Sequence, residues 1–129
     1  MTQLLPELVV EICRGCCCGT VRKHPDVDHD AHFREIERAV RQRGRALARR
    51  TGCLGACDLS NLVVVRPKGR SHDSPDAMWF GRILTDNDVR SLSRWIVRLT
   101  ELEDRSVPHE LEGHLYTHQV SLLEITQQG

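Results

Sequence analysis

The chain has 129 residues and a mass of 14.7 kDa, the length of one ordinary domain. Hydrophobic residues make up 40% and charged residues 28%, which excludes a chain that is disordered throughout, and no apolar run approaches the roughly 20 residues that cross a bilayer. The net charge is zero, with 18 basic and 18 acidic residues, so total charge gives no argument for nucleic acid or a membrane as partner.

The start of the chain predicts a strand and not an export signal. The run Leu8–Ile12 is apolar apart from Glu11 and has the length of a strand. The segment Met1–Ile12 contains Pro6 and two glutamates but no Lys or Arg, whereas a secretory signal begins with basic residues. We therefore expect a cytoplasmic protein, whose thiols are kept reduced.

A helix and a second strand follow the first cysteine-bearing loop, which spans Cys13–His29. The helix runs to about Arg43 with apolar residues at helical spacing, and Gly44 ends it. We interpret Arg45–Thr51 as a strand, because a glycine precedes it and a second cysteine-bearing loop follows it. The apolar positions of the helix are Phe33, Ile36 and Val40, and its candidate caps are Asp28 and Asp30.

Two more strands and a second helix complete the predicted domain. Asn61–Val65 contains three β-branched residues in a row and predicts the third strand, and Met78–Ile83 predicts the fourth. Thr85 with Asp88 forms a capping box that starts the second helix. Its apolar face consists of Val89, Leu92, Ile96 and Leu99.

The end of the chain predicts a separate extension. We divide the chain into a domain over residues 1–100 and a C-terminal extension over residues 101–129, which we expect to pack on the domain or on a partner. The extension is polar and contains Pro108 and Gly113. Its apolar segment Val120–Ile125 is compatible with a short strand or a partner-binding segment.

The predicted topology brings the two cysteine-bearing loops together. The order is strand, helix, strand, strand, strand, helix, and the first strand–helix–strand unit should be a right-handed crossover with parallel strands. The loops after strands one and two then leave the same end of the sheet. Ligand sites commonly lie at the carboxyl ends of parallel strands.

The six cysteines form two groups, Cys13–Cys18 and Cys53–Cys57. Three disulfides fit poorly, because nothing indicates export and three contiguous cysteines are difficult to join. A metal ion or an iron–sulfur cluster is therefore the preferred interpretation. Glycines flank or interrupt both groups and allow backbone N–H groups to approach the sulfur atoms.

The cysteine spacings leave two kinds of metal site open. Cys13 and Cys16 have the C-x2-C spacing of zinc knuckles, so a structural zinc on Cys13, Cys16, Cys53 and Cys57 is one alternative. Cys13 with Cys18 is C-x4-C and the second group is C-x3-C, and these wider spacings favour a two-iron cluster. We expect an apolar wall around the site from Leu54, Leu59, Leu62 and Trp79.

Three further features of the sequence bear on function. A thiol–disulfide oxidoreductase would use Cys13 and Cys16, but it would leave the second cysteine group without a role. The stretch Arg34–Arg50, with seven arginines and two glutamates, is a solvated face or a docking surface for an acidic partner. The histidines are expected to be solvated, both at the helix start (His29 and His32) and in the tail (His109, His114 and His118).

The cysteine motifs resemble a known family. The segments Cys-Arg-Gly-Cys-Cys-Cys-Gly at 13–19 and Thr-Gly-Cys-Leu-Gly-Ala-Cys-Asp at 51–58, with the valine-rich strand that follows, resemble the thioredoxin-like 2Fe–2S ferredoxins. That family is related to the small cluster-bearing subunit of respiratory complex I, and short actinobacterial ferredoxin-domain proteins are the more similar group. The resemblance covers roughly residues 8–99. It implies an α/β thioredoxin-like fold and one 2Fe–2S cluster held by Cys13, Cys18, Cys53 and Cys57.

The resemblance also implies a function, and the sequence departs from the family pattern at one place. It implies a small soluble electron carrier that takes one electron from a reductase and passes it to a partner enzyme, without being an enzyme itself. Cys16 and Cys17 stand where the wider family seldom has cysteine, and they are possible alternate ligands. Because the family is often dimeric and strands three and four are apolar on both faces, we expect a homodimer.

Overall fold

The computed structural model of the chain describes residues 7–14, 19–52, 54, 57–100 and 107–116. Of the residues predicted to bind a metal, Cys13 lies within these ranges, and Cys57 is described for its backbone but not for its side chain. Cysteines 16, 17, 18 and 53 lie outside them, as does the tail segment 120–125.

The predicted order of strand, helix, strand, strand, strand, helix is confirmed, with small shifts at the ends of elements. The third strand begins two residues later than predicted, and the fourth ends at Phe80 instead of Ile83. The elements are β1 (Leu8–Cys13), α1 (His29–Arg43), β2 (Ala46–Thr51), a 3-10 turn (Cys57–Leu59), β3 (Val63–Pro67), β4 (Met78–Phe80), α2 (Asp86–Arg98), α3 (His109–Glu112) and β5 (Leu115–Tyr116).

Both long helices begin at the caps that the sequence predicts. The side chain of Asp28 accepts a hydrogen bond from the Ala31 N–H at 3.0 Å, and α1 ends at Gly44, whose positive φ of 80° suits glycine. Thr85 and Asp88 form the predicted reciprocal capping box at the start of α2. These local signals place both helices correctly.

The five strands form one sheet in the order β2-β1-β3-β4-β5. β1 and β2 are parallel, with Cys13 opposite Thr51, and the other neighbouring pairs are antiparallel. The predicted parallel crossover is therefore confirmed. The carboxyl ends of β1 and β2 and the amino end of β3 lie at one edge, which we call the cysteine edge.

The main core lies between the sheet and the two long helices. Alternate residues of β1, namely Leu8, Val10 and Ile12, point into this core together with Ile36 of α1 and Leu92 of α2. Each of these side chains is at most 2% exposed, and burial of each contributes roughly 1.5–3 kcal/mol. The helices thus cover one face of the sheet and fix the position of its strands.

A smaller apolar cluster covers part of the second face of the sheet. It contains Cys13, Leu62, Val64, Ala77 and Trp79, and Leu54, Leu59 and Tyr116 pack against it. Farther from the cysteine edge, Glu11 of β1 is 2% exposed and accepts a 2.7 Å hydrogen bond from Arg66, while Arg49 lies 3.5 Å away. The chain therefore neutralises this buried carboxylate with its own arginines.

Residues 107–116 of the C-terminal extension pack on the sheet and on α2, and their short helix α3 and strand β5 have no counterpart in the sequence prediction. Leu111 is fully buried in the main core, and β5 pairs with β4 so that Tyr116 lies opposite Trp79. His114 Nδ1 lies 2.9 Å from the Gly81 oxygen, and His114 Nε2 lies 3.1 Å from Asp88. Within the described ranges, none of the helices combines the length and apolar character that a membrane crossing requires.

Candidate metal centre

Backbone hydrogen bonds join three chain segments at the cysteine edge. The Arg14 N–H donates to the Thr51 oxygen at 2.8 Å, which ties the end of β1 to the end of β2. The Cys13 N–H donates to the Leu62 oxygen at 3.0 Å, which ties it to the start of β3. Both cysteine-bearing loops therefore leave the sheet at the same place, as the topology predicts.

The Cys13 side chain faces the second cysteine-bearing loop. Its Sγ donates to the oxygen of Gly52 at 3.4 Å, and Gly52 immediately precedes Cys53 in the chain. Cys13 is 3% exposed and lies in the small cluster with Leu62 and Trp79. A buried thiol beside an apolar wall, directed at a second cysteine-bearing segment, fits a ligand of a shielded metal group.

The side chains predicted to form an apolar wall lie around Cys13. Leu62 and Trp79 belong to the small cluster around Cys13, and Leu54 and Leu59 pack against it. The indole N–H of Trp79 donates to the oxygen of His72 at 2.8 Å, which satisfies its polar atom while the ring stays 3% exposed. These side chains exclude water from one side of the Cys13 thiol.

The second cysteine-bearing segment is anchored against the end of β4. Cys57 begins the 3-10 turn, and the oxygen of Leu59 at its end accepts a 2.8 Å hydrogen bond from the Arg82 N–H. Gly81 lies so close that an added Cβ would be 2.9 Å from Leu59 Cβ and 3.3 Å from the Leu59 oxygen. A glycine at 81 is therefore what allows this close approach.

Asn61 links the first cysteine-bearing loop to the second. Its Oδ1 accepts a 2.7 Å hydrogen bond from the N–H of Gly19, the residue after Cys18. This bond fixes the orientation of the amide, so Nδ2 donates to Nδ1 of His29 at 2.9 Å. Asn61 is 2% exposed and thus holds the exit of one loop against the exit of the other.

The prediction that His29 and His32 are solvated is wrong, since they are 7% and 5% exposed. His29 accepts from Asn61 through Nδ1, so its Nε2–H donates to the oxygen of His24 at 3.2 Å. His32 Nε2 lies 2.9 Å from the carboxylate of Asp86 at the start of α2. These partners are distant in the sequence, so helical periodicity alone gives no signal of their contacts.

Two other histidine predictions have mixed outcomes. His109 is exposed, as expected, whereas His114 is half-buried between Gly81 and Asp88, so the prediction of a surface side chain is wrong for it.

His24 lies near the cysteine edge, where its Nε2 is 2.9 Å from Ser60 Oγ. Burial lowers the pKa of His24, and the charges of Lys23 and His29 lower it further.

The described residues hold only part of the predicted ligand set. Among them, no group of three or more His, Cys, Asp or Glu side chains is arranged to bind a metal ion. The structure places Cys13 beside Gly52 and places the backbone of Cys57 in the turn that leads to Leu62. The other candidate ligands lie outside the described ranges, so the assignment stays a prediction.

Among solved structures, the chain is similar to a thioredoxin-like [2Fe-2S] ferredoxin from Aquifex aeolicus. The TM-score is 0.50 and the identity is 20%, over 79% of this chain and 90% of that chain. The fold is therefore thioredoxin-like, as the sequence resemblance implies. No known protein family and no curated protein matches the chain by sequence.

Proposed function

We propose that the chain carries one 2Fe–2S cluster and transfers single electrons between a reductase and a partner enzyme in the cytoplasm. The proposed ligands are Cys13, Cys18, Cys53 and Cys57. The observation that carries the proposal is the Cys13 thiol, which is buried at the end of β1 and contacts Gly52, the neighbour of Cys53. The shared fold with a ferredoxin supports it.

The chain's own residues would supply position and shielding for that group. The cluster, when bound, accepts and releases one electron. The parallel ends of β1 and β2 start the two cysteine-bearing loops from neighbouring positions, and Asn61 holds Gly19, which follows the first cysteine group. Trp79 and Leu59 exclude water from one side of the Cys13 thiol. A site held in this way changes little when its charge changes, which favours rapid electron transfer.

The proposal is tested by the colour and metal content of protein purified without oxygen. We expect a red-brown protein with two iron and two sulfide per chain. One-electron reduction should convert a diamagnetic cluster into a species with spin 1/2. A colourless protein with one zinc would contradict the proposal and support the alternative site on Cys13, Cys16, Cys53 and Cys57.

Single cysteine-to-serine variants test the ligand assignment. Replacing Cys13, Cys18, Cys53 or Cys57 should remove the visible spectrum or change it strongly. Cys17→Ser is the matched control, because it changes the same loop without removing a proposed ligand. Full iron content in Cys18→Ser together with its loss in Cys17→Ser would show that the second ligand is misassigned.

A further inference from the structure

The outer surface of the helical layer contains a groove of about 460 Å³. Its lining residues all belong to α1 and α2, and none belongs to the sheet or to the loops at the cysteine edge. Ala39, Ser93 and Val97 form the floor, and arginines form the rims. We call this feature the arginine groove.

The charge of the arginine groove is strongly one-sided, although the whole chain has a net charge of zero. Arg90, Arg94 and Arg98 of α2 line it together with Arg38 of α1, against the single acidic side chain of Glu35. The three arginines of α2 are four residues apart. They form one row along the helix that spans about 12 Å.

Among the described residues, no acidic side chain pairs with these arginines. Arg38, Arg94 and Arg98 make no ion pair with any residue in the described part of the chain, and Arg90 donates to the amide oxygen of Asn87 at 3.1 Å. Some arginines elsewhere in the described residues do pair with acids. Arg66 contacts Glu11 at 2.7 Å and Arg45 contacts Glu7 at 3.2 Å.

Folding explains only one member of the arginine row, since Arg98 lies in the last turn of α2, where the helix dipole favours a cation. Like charges four residues apart on a helix repel each other and destabilise the helix. The row therefore carries a cost that a ligand of opposite charge would remove. The floor points to the shape of that ligand, because it is shallow and its residues are small, with Ala39 5% exposed and Ser93 9% exposed. A rod laid along the groove can reach all four arginines.

We propose that the arginine groove binds an acidic helical segment of a partner protein. Acidic side chains at positions i, i+4 and i+8 of that segment would match the spacing of Arg90, Arg94 and Arg98. The groove contains no aromatic side chain on which a base could stack, which favours a peptide over nucleic acid. The inference stands independently of whether the chain binds a cluster.

The groove and the cysteine edge lie on different parts of the molecule. The amino ends of α1 and α2 meet where His32 contacts Asp86, and His29 at the start of α1 faces Asn61 at the cysteine edge. The groove begins beyond that contact and extends to Arg98 at the carboxyl end of α2. A bound segment would therefore leave the cysteine edge accessible.

The test uses the full-length chain and a fluorescein-labelled helical peptide of about 15 residues, with glutamates at i, i+4 and i+8. Fluorescence anisotropy measures the affinity. The Arg94→Gln/Arg98→Gln variant should lose about fivefold in affinity, because two exposed ion pairs are removed. Arg38→Gln, on the opposite helix, should also weaken binding. Added salt should weaken binding of the unmodified chain.

The matched control is Lys68→Gln/Arg70→Gln, which removes the same two charges from the turn after β3. Its affinity should change by less than about twofold, because neither residue lines the groove. An equal loss in the control and groove variants would overturn the proposal. Equal affinity of a peptide whose glutamates are spread around the helix would also overturn the proposal. So would displacement of the labelled peptide by single-stranded RNA or polyphosphate at a lower concentration than that of unlabelled peptide.

Discussion

At the scale of single residues, the cysteine edge depends on side chains that are not themselves candidate ligands. Asn61 uses both ends of its amide, since it accepts from the Gly19 N–H and donates to His29. Gly19 follows the first cysteine group and Asn61 follows the second. One buried amide therefore joins Gly19 and His29 to the residue that precedes β3, although these positions are far apart in the sequence.

Asn61→Leu should destabilise the protein, because it leaves the Gly19 N–H and His29 Nδ1 without their partner in a buried place. The expected loss is about 1–3 kcal/mol in the free energy of unfolding, measured by urea titration. Asn61→Asp retains an acceptor for the Gly19 N–H, so its loss should be smaller. Equal losses in the two variants would contradict this expectation, because the retained acceptor would then not outweigh the cost of burying a carboxylate.

His24 should make stability depend on pH. Its pKa is lowered, first by burial and then by the charges of Lys23 and His29, so the unfolded chain binds this proton more tightly than the folded chain. The contribution to stability is complete above the ordinary value of 6.5 and is lost as the pH falls through the folded pKa.

His24→Gln should therefore flatten the decrease in unfolding free energy as the pH falls below 6.5. Urea titrations at several pH values measure the profile. His109→Gln is the control, because the side chain of His109 is 97% exposed. A profile in His24→Gln that keeps its full slope would exclude His24 as the source of the pH dependence.

At the scale of elements, the second cysteine-bearing segment is positioned by the end of β4. The oxygen of Leu59 accepts from the Arg82 N–H, and the side chain of Leu59 lies against Gly81. The short 3-10 turn is thus held from its carboxyl side by a neighbouring segment. Crowding at Gly81 would be transmitted directly to this turn.

Gly81→Ala should lower the free energy of unfolding by about 1–3 kcal/mol, because the new Cβ would lie 2.9 Å from Leu59 Cβ. Gly113→Ala is the matched control, since its Cβ would meet nothing within 4 Å and its φ is −70°. The control should be neutral or slightly stabilising. The urea midpoints of the two variants measure the difference. Equal midpoints would contradict the prediction that position 81 requires glycine.

The elements that the sequence predicts are those with strong local signals. Asp28 and Thr85 each cap a helix through a bond to the residue three positions later. Because both partners lie within one short segment, the local sequence is enough to predict the helix start. β5 has two residues, which is too short to show alternation, and its pairing with β4 is a long-range contact. The burial of His29 likewise depends on Asn61, 32 residues away in the chain.

In the candidate site, too, the sequence predicts some features and misses those that depend on long-range contacts. The parallel crossover of β1 and β2 predicts that the two cysteine-bearing loops meet, and the wall containing Leu59 and Trp79 follows from their place in the chain. The Asn61 link is absent from the prediction, because an asparagine before a strand has many possible roles. Its partner is determined only when the fold brings Gly19 to it.

At the scale of the whole molecule, covered and open surfaces bear on self-association. The second-face residues of β3 and β4, Val64 and Trp79, are 0% and 3% exposed because residues of the same chain, including Tyr116, pack against them. A second copy is therefore not needed to bury these two side chains. On β2, Leu47 is 58% exposed.

The homodimer stays a prediction, and it now rests mainly on the family resemblance. Sedimentation equilibrium at micromolar concentration should give twice the chain mass of 14.7 kDa. Leu47→Ser tests the most exposed apolar side chain on β2 as a contact. A mass near 14.7 kDa for the unmodified chain would show that its own residues close the core without a partner.

Asp88 connects the start of α2 with the attachment of β5. Its Oδ2 accepts from the N–H groups of Leu84 and Thr85 at the start of α2, and its Oδ1 contacts His114 beside β5. The Gly81 N–H also donates to the oxygen of His114 at 2.8 Å. The first turn of α2 and the attachment of β5 therefore share one carboxylate, so we expect loss of either to weaken the other. An Asp88→Ala variant should both fray the start of α2 and loosen β5, which would expose the edge of β4 to pairing with another chain.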